Sequence, residues 1–250
     1  MTGGKPERIQ SIDALRGLCV LLMCIHHFLY DLAAFLGAPW WIFTNPVFDT
    51  LHYLFAGCFI LLSGVSSRFS RSNLRRGGKL IAVALALTLV TCLADWLSLR
   101  LWGEDFGVRI LFGVLHLLGF CMVFYGLIAR WLDRLPGPLL PLLCLVLLIL
   151  TAKNVSGLFI TDQVWLFPFG YLTEGFYSAD YFPILPWIFV FLAGTWLGGL
   201  IREGKLPPGF YTARFPFFPQ LGRHALLIYL LHQPILAGLT LLIGAVFGIL

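Results

Sequence analysis

The chain has 250 residues, 59% of them hydrophobic and 12% charged, with a mean hydropathy of +0.89, which leaves too little polar surface for a water-soluble domain. The apolar residues come in blocks of helix-spanning length rather than in the ten-residue alternation of a membrane β-barrel, so the expected class is an all-α integral membrane protein. The formal net charge of +5 does not point to nucleic acid, because the basic residues fall where membrane proteins carry topogenic charge.

In chain order, apolar spans are expected over residues 12–34, 50–67, 79–101, 109–130, 138–152, 182–201 and 224–249: a single bundle of about seven transmembrane helices, read as one domain over 1–250. The fifth is short for a crossing. Residues 154–181 are aromatic-rich but broken by Asp162, Pro168, Glu174 and Asp180, and could hide a re-entrant or interfacial piece. Lys5, Arg8, Arg16, the second-loop group from Arg68 to Lys79, and the later pairs Arg130/Arg134, Arg202/Lys205 and Arg214/Arg223 fall on one face. Only Arg100, Arg109 and Lys153 fall on the other, so the positive-inside rule puts the amino terminus in the cytoplasm. The first span is too long for a signal peptide and lacks a small-residue cleavage site, so it is read as a retained helix. The six cysteines all lie inside predicted spans without metal-ligand spacing and read as packing residues; no metal is expected.

The first span, "SIDALRGLCVLLMCIHHFLYD", carries the informative anomaly. Ionisable residues in hydrocarbon are costly and are by default functional candidates. Arg16 and His27 are eleven residues, nearly three turns, apart, which puts them on one face about 16 Å apart along the axis. Asp31 follows His27 by four, so its carboxylate is expected one turn beyond the imidazole, where it would fix the tautomer and raise the basicity of the ring. The plainer reading is a satisfied polar cluster joining helices. His26 points about 100° away and is the weaker candidate.

His116 in "FGVLHLLGF" and His232 in "LIYLLHQPI" are both placed near mid-membrane, each as suited to a structural hydrogen bond as to chemistry. The loop "SRFSRSNLRRGGK" offers Arg68, Arg75 and Arg76 for phosphate, with topology and anionic lipid contact as the plainer alternative. Asp180 and Tyr181 sit at the mouth of the sixth span, as acceptor-binding candidates or interfacial belt residues.

Five stretches, "RIQSIDALRGLCVLLMCIHHFLYDL", "FAGCFILLSGVSSR", "FGVLHLLGF", "DYFPILPWIFVFLAGTWLG" and "LGRHALLIYLLHQPI", resemble the heparan-alpha-glucosaminide N-acetyltransferase catalytic-domain family in its compact bacterial form, over about residues 8–240. More distantly the chain resembles the acyltransferase-three membrane O-acetyltransferases, in which an Arg or Lys precedes a first-helix His with ten residues between them, as Arg16 precedes His27. The resemblance implies an acyltransferase of a bacterial inner membrane that moves an acyl group, usually acetyl, from cytosolic acetyl-CoA to a hydroxyl or amine of an envelope glycan or other acceptor across the membrane. On this analogy His27 is the general base, Asp31 orients it, His116 and His232 join the catalytic set, and Arg16, Arg68, Arg75 and Arg76 hold the donor. Asp180 and Tyr181 then hold the acceptor. Membrane lipid and a second copy of the chain are further candidate partners; nucleic acid is not one. The lysosomal member is associated with a histidine in the loop after its first helix, whereas "FLGAPWWIFTNPVFDT" here has none and His52 is the nearest. The alternatives are a small transporter or flippase with a proton-relay histidine cluster, and a scaffolding partner of another envelope enzyme.

Overall fold

A computed structural model describes residues 9–153 and 159–249, with Phe159 described by its backbone alone. Lys5, Arg8 and residues 154–158 lie outside the described residues. The helices are α1 (Gln10–Leu36), α2 (Trp41–Thr44), α3 (Pro46–Ser67), α4 (Asn73–Trp102), α5 (Val114–Leu132), α6 (Leu139–Thr151), α7 (Ile184–Arg202), α8 (Pro208–Thr212), α9 (Phe218–Arg223) and α10 (Ala225–Val246). Between α6 and α7, β1 (Phe159–Ile160) and β2 (Tyr171–Leu172) form a two-residue parallel pair flanking a 3₁₀ turn, Val164–Phe169. Six helices, α1, α3, α4, α5, α7 and α10, are long and apolar enough to cross a membrane. The chain is a multi-pass integral membrane protein. The fifth expected span is α6, whose 13 residues rise only about 20 Å against a hydrocarbon thickness of about 30 Å.

The described chain divides into two compact units, Met1–Leu62 with Lys205–Leu250, and Ser63–Gly204. In the first, α1 packs against α9 and α10. The seam with α9 depends on two glycines facing each other's backbone: a Cβ on Gly17 would collide with the Phe218 carbonyl oxygen, and one on Gly222 with that of Asp13. Small residues that let backbones approach are a basis of helix association where lipid removes the hydrophobic drive. Gly37, at φ 67°, closes α1 in the left-handed conformation that costs glycine least.

In the second unit α4 packs on α5 and α6 on α7. Gly64 meets the Phe191 backbone as Gly17 meets that of Phe218, drawing the last turn of α3 onto α7. Ser72 caps α4 by accepting from the Arg75 N–H, and Gly103 ends it at φ 74°. The expected fourth span, 109–130, starts late because the N–H groups ahead of it are taken by side chains. Asp95 accepts from Val108 and Arg109, Thr91 Oγ1 from Ile110, and Ser178 Oγ from Leu111. With those donors held in an extended segment, helix begins only at Val114.

Candidate active site of the first unit

Four imidazoles gather where α1, the start of α3 and α10 supply them. The ring centroids of His26 and His52 are 4.5 Å apart, those of His27 and His232 4.7 Å, and those of His26 and His27 5.9 Å. Phe43 of α2 packs on His26 at 4.7 Å and closes that side of the cluster. The short α2 lets the chain turn after α1, so that His52, just inside α3, returns beside His26.

Asp31, 0% exposed, does not bond to His27 as the i, i+4 spacing suggests. Its Oδ1 accepts from Gln233 Nε2 at 2.8 Å, and its Oδ2 has no hydrogen-bond partner. The primary amide across the helix seam displaces the expected imidazole because it reaches the carboxylate directly. His27 turns instead to the His232 ring. The orientation expected from a carboxylate is supplied to His232 by backbone: Nδ1 lies 2.6 Å from the Tyr229 carbonyl oxygen, which only accepts, so Nδ1 carries the proton. Nε2 is then the lone-pair nitrogen, and it is buried without a hydrogen-bond partner. His26 Nδ1 and Gln233 Oε1 share that condition. Buried polar groups are almost always paired, so several unpaired atoms in one cluster mark a place suited to water or a polar ligand.

At the other end of the α1 face, buried Asp13 is flanked by two guanidinium groups, Arg16 Nη1 at 3.1 Å and Arg223 Nε at 3.6 Å. This places two cations on one carboxylate. Arg223 was not separable from the topogenic charges by sequence, since only the fold of α9 onto α1 brings it there.

The remaining candidates lie in the second unit. His116 stands in the first turn of α5, not seven residues into a span. Its Nδ1 accepts from the Gly113 N–H at 3.2 Å, leaving Nε2 to donate to Thr88 Oγ1 at 3.2 Å. Both ring nitrogens are thus engaged, Nδ1 at the start of α5 and Nε2 on α4. Asp180 Oδ2 accepts from the Val114 N–H at 3.0 Å, a carboxylate at a helix N-terminus where the dipole favours it. Tyr181 donates its hydroxyl to the Phe167 carbonyl at 2.6 Å, and burial pushes its phenol above the ordinary range. Arg68 pairs with Asp133 at 2.6 Å and donates Nε to the Thr195 carbonyl at 3.0 Å. Arg76 reaches the Ser66 carbonyl at 3.4 Å, and Arg75 is exposed. Among the described residues no group of three or more His, Cys, Asp or Glu is arranged to hold a metal ion.

A family model described as the catalytic region of heparan-alpha-glucosaminide N-acetyltransferase matches residues 8–234. The chain belongs to this family. Membership carries acetyl transfer as the general activity, and the match spans both units, from the start of α1 to the Pro234 turn of α10. No curated protein and no solved structure matches the chain.

Proposed function

We propose that this membrane acetyltransferase moves the acetyl group of acetyl-CoA to a hydroxyl or amine of a glycan or other envelope acceptor, and that the histidine cluster of the first unit is its reaction chamber. The observation that carries the reading is His232. Its Nδ1 proton is committed to a backbone carbonyl, while its buried Nε2 lone pair is unused and lies beside the His27 ring. That is the state a general base needs before substrate arrives.

The chemistry has three parts. The acceptor oxygen or nitrogen attacks the thioester carbonyl carbon, forming the new C–O or C–N bond. The acceptor's proton goes to the imidazole pair, with Nε2 of His232 as the receiving atom and His27 beside it. The C–S bond breaks, CoA leaves as the thiolate, and the imidazolium returns the proton to it. Asp31 is held by Gln233, the residue next to His232, rather than by an imidazole, and takes no step in the proton transfer.

The donor end is assigned to Arg16, with Arg223 as a second phosphate ligand beside the shared Asp13. From there to His27 is eleven residues, about 16 Å along α1. A donor anchored by its phosphates must extend its pantetheine arm over that distance to present the thioester. With Arg16 and Arg223 cytoplasmic, as the positive-inside rule requires, donor and acceptor enter from opposite faces. Arg75 is exposed and suits a role in capturing donor phosphate from solution. In this reading Arg68, Arg76, His116, Asp180 and Tyr181 support the architecture through the bonds described above.

The test is sided transfer in proteoliposomes. Acetyl-CoA is supplied on the Arg16 face and glucosamine on the other, and CoA release is followed with a thiol reagent. Transfer only in that orientation, lost in His232→Ala and His27→Ala variants of unchanged helicity, is the expected result. Full activity in both variants would remove the cluster from the chemistry.

A further inference from the structure

The second unit holds a cleft of about 570 Å³ beside the carboxyl-terminal part of α4, within the size range of small-ligand sites, about 300–1,000 Å³. Its floor is apolar, with Leu99 and Leu111, and Trp96 forms one wall with about half its surface exposed. Arg109 and Asp105 line its rim with their charged atoms 3.4 Å apart and Tyr177 alongside, and a second carboxylate, the buried Asp95, also lines the cleft.

The rim is held in place. Asp95, 6% exposed, accepts from the Val108 and Arg109 N–H groups at 2.9 and 3.0 Å. Tyr177 donates its hydroxyl to the Gly107 carbonyl at 2.7 Å, and its ring lies 6.0 Å from the Arg109 guanidinium. Three hydrogen bonds involving two side chains thus fix the backbone that presents Asp105 and Arg109, while the Asp105 and Arg109 side chains remain about 40% exposed and able to turn to a ligand.

An apolar floor under a rim of one positive and one negative group fits an amphiphile whose head bears both charges. A phosphate matches the planar guanidinium of Arg109 bidentately, and a primary ammonium matches the Asp105 carboxylate, so the head replaces the contact the two side chains make with each other. One chain then lies on Trp96, Leu99 and Leu111, removing apolar surface from the interface where tryptophan is common. A purely anionic head would meet Asp105 as a like charge. A free sugar would find few hydrogen-bonding groups on the floor. We propose that this cleft is a binding site for a zwitterionic phospholipid with a phosphate and a primary ammonium in its head, independent of the reaction assigned to the first unit.

The experiment is native mass spectrometry of the full chain in detergent, with equal amounts of dioleoyl-phosphatidylethanolamine and dioleoyl-phosphatidylglycerol added. The wild type should retain the ethanolamine lipid at least fivefold over the glycerol lipid. Arg109→Gln should lose that retention, and Asp105→Asn should bring the two lipids to equal retention, because the ammonium loses its carboxylate while Arg109 still holds a phosphate from either head. Continued retention of both lipids by Asp105→Asn needs an intact cleft, so general unfolding cannot imitate it. Equal retention of both lipids by the wild type, or an unchanged preference in Asp105→Asn, would overturn the assignment. A second readout needs no charge variant: brominated-chain phosphatidylethanolamine should quench the emission of Trp96, taken as wild type minus Trp96→Phe, more than the brominated glycerol lipid does. Equal quenching would also overturn it.

Discussion

Removing the amide that holds Asp31 tests how the first unit keeps a carboxylate at 0% exposure. In Gln233→Leu the 2.8 Å bond to Oδ1 is lost, and the leucine offers no donor in its place. Since Oδ2 already has no hydrogen-bond partner, the carboxyl group is left with neither oxygen bonded by a side chain. Interhelical hydrogen bonds between neutral groups in membrane proteins average about 0.6 kcal/mol. Bonds to a charged group are worth about 1.5–3 kcal/mol, and a buried group stranded without its partner loses its desolvation energy in full. The expected loss for Gln233→Leu is therefore about 2–3 kcal/mol, and the double variant Asp31→Leu/Gln233→Leu should be less destabilised than the sum of the two single changes by about 1.5–3 kcal/mol. Thermal unfolding in detergent, followed by a thiol-reactive fluorophore, suits a chain whose Cys19, Cys121 and Cys144 are buried and free. Additive effects of the two changes would refute the claim that Gln233 and Asp31 act as a pair.

Gly17→Ala and Gly222→Ala should each destabilise by about 1–3 kcal/mol, because each Cβ meets a carbonyl oxygen of the facing backbone, which cannot rotate away. Gly238→Ala, in open space on α10, should be neutral or stabilising by about 0.5–1 kcal/mol in the same thermal assay. His116→Ala should lower stability through lost bonds to Gly113 and Thr88 while the surviving folded fraction keeps its turnover, measured as CoA release per folded molecule. Arg223→Ala should raise the KM for acetyl-CoA with little change in kcat, and should raise it less for acetyl-pantetheine, which lacks the nucleotide phosphates. An equal effect on both donors would remove Arg223 from phosphate binding.

Much of the architecture is readable from apolar block length, because lipid forces backbone to satisfy itself within helices. The departures have local causes that act over long sequence separations. The start of α5 moves from 109 to 114 because Asp95, Thr91 and Ser178 take the preceding N–H groups, and no local pattern announces bonds to side chains 14, 19 and 67 residues away. The helices α8 and α9 sit in a proline- and aromatic-rich stretch that is too short and mixed to register as a span, yet α9 supplies the Gly222 seam and Arg223. In the cluster, His27, Asp31 and His232 stand out as ionisable residues in apolar runs. Helical angle set His26 aside, and only the turn through α2 shows that it meets His52. Gln233 carries no charge and so does not stand out among the ionisable residues, although an amide next to His232 in an apolar helix is itself a polar residue needing a partner. The i, i+4 rule correctly places His27 and Asp31 on one face. It does not decide which of two available donors the carboxylate takes.

The most direct test of the central claim is chemical rescue at His232. If its Nε2 receives the acceptor's proton, His232→Ala should lower the acetyl-transfer rate by about 10²–10⁴-fold, and added imidazole should restore part of that loss in a concentration-dependent manner. Wild-type turnover in the variant, or a loss that imidazole does not touch while Gln233 still holds Asp31, would contradict the account.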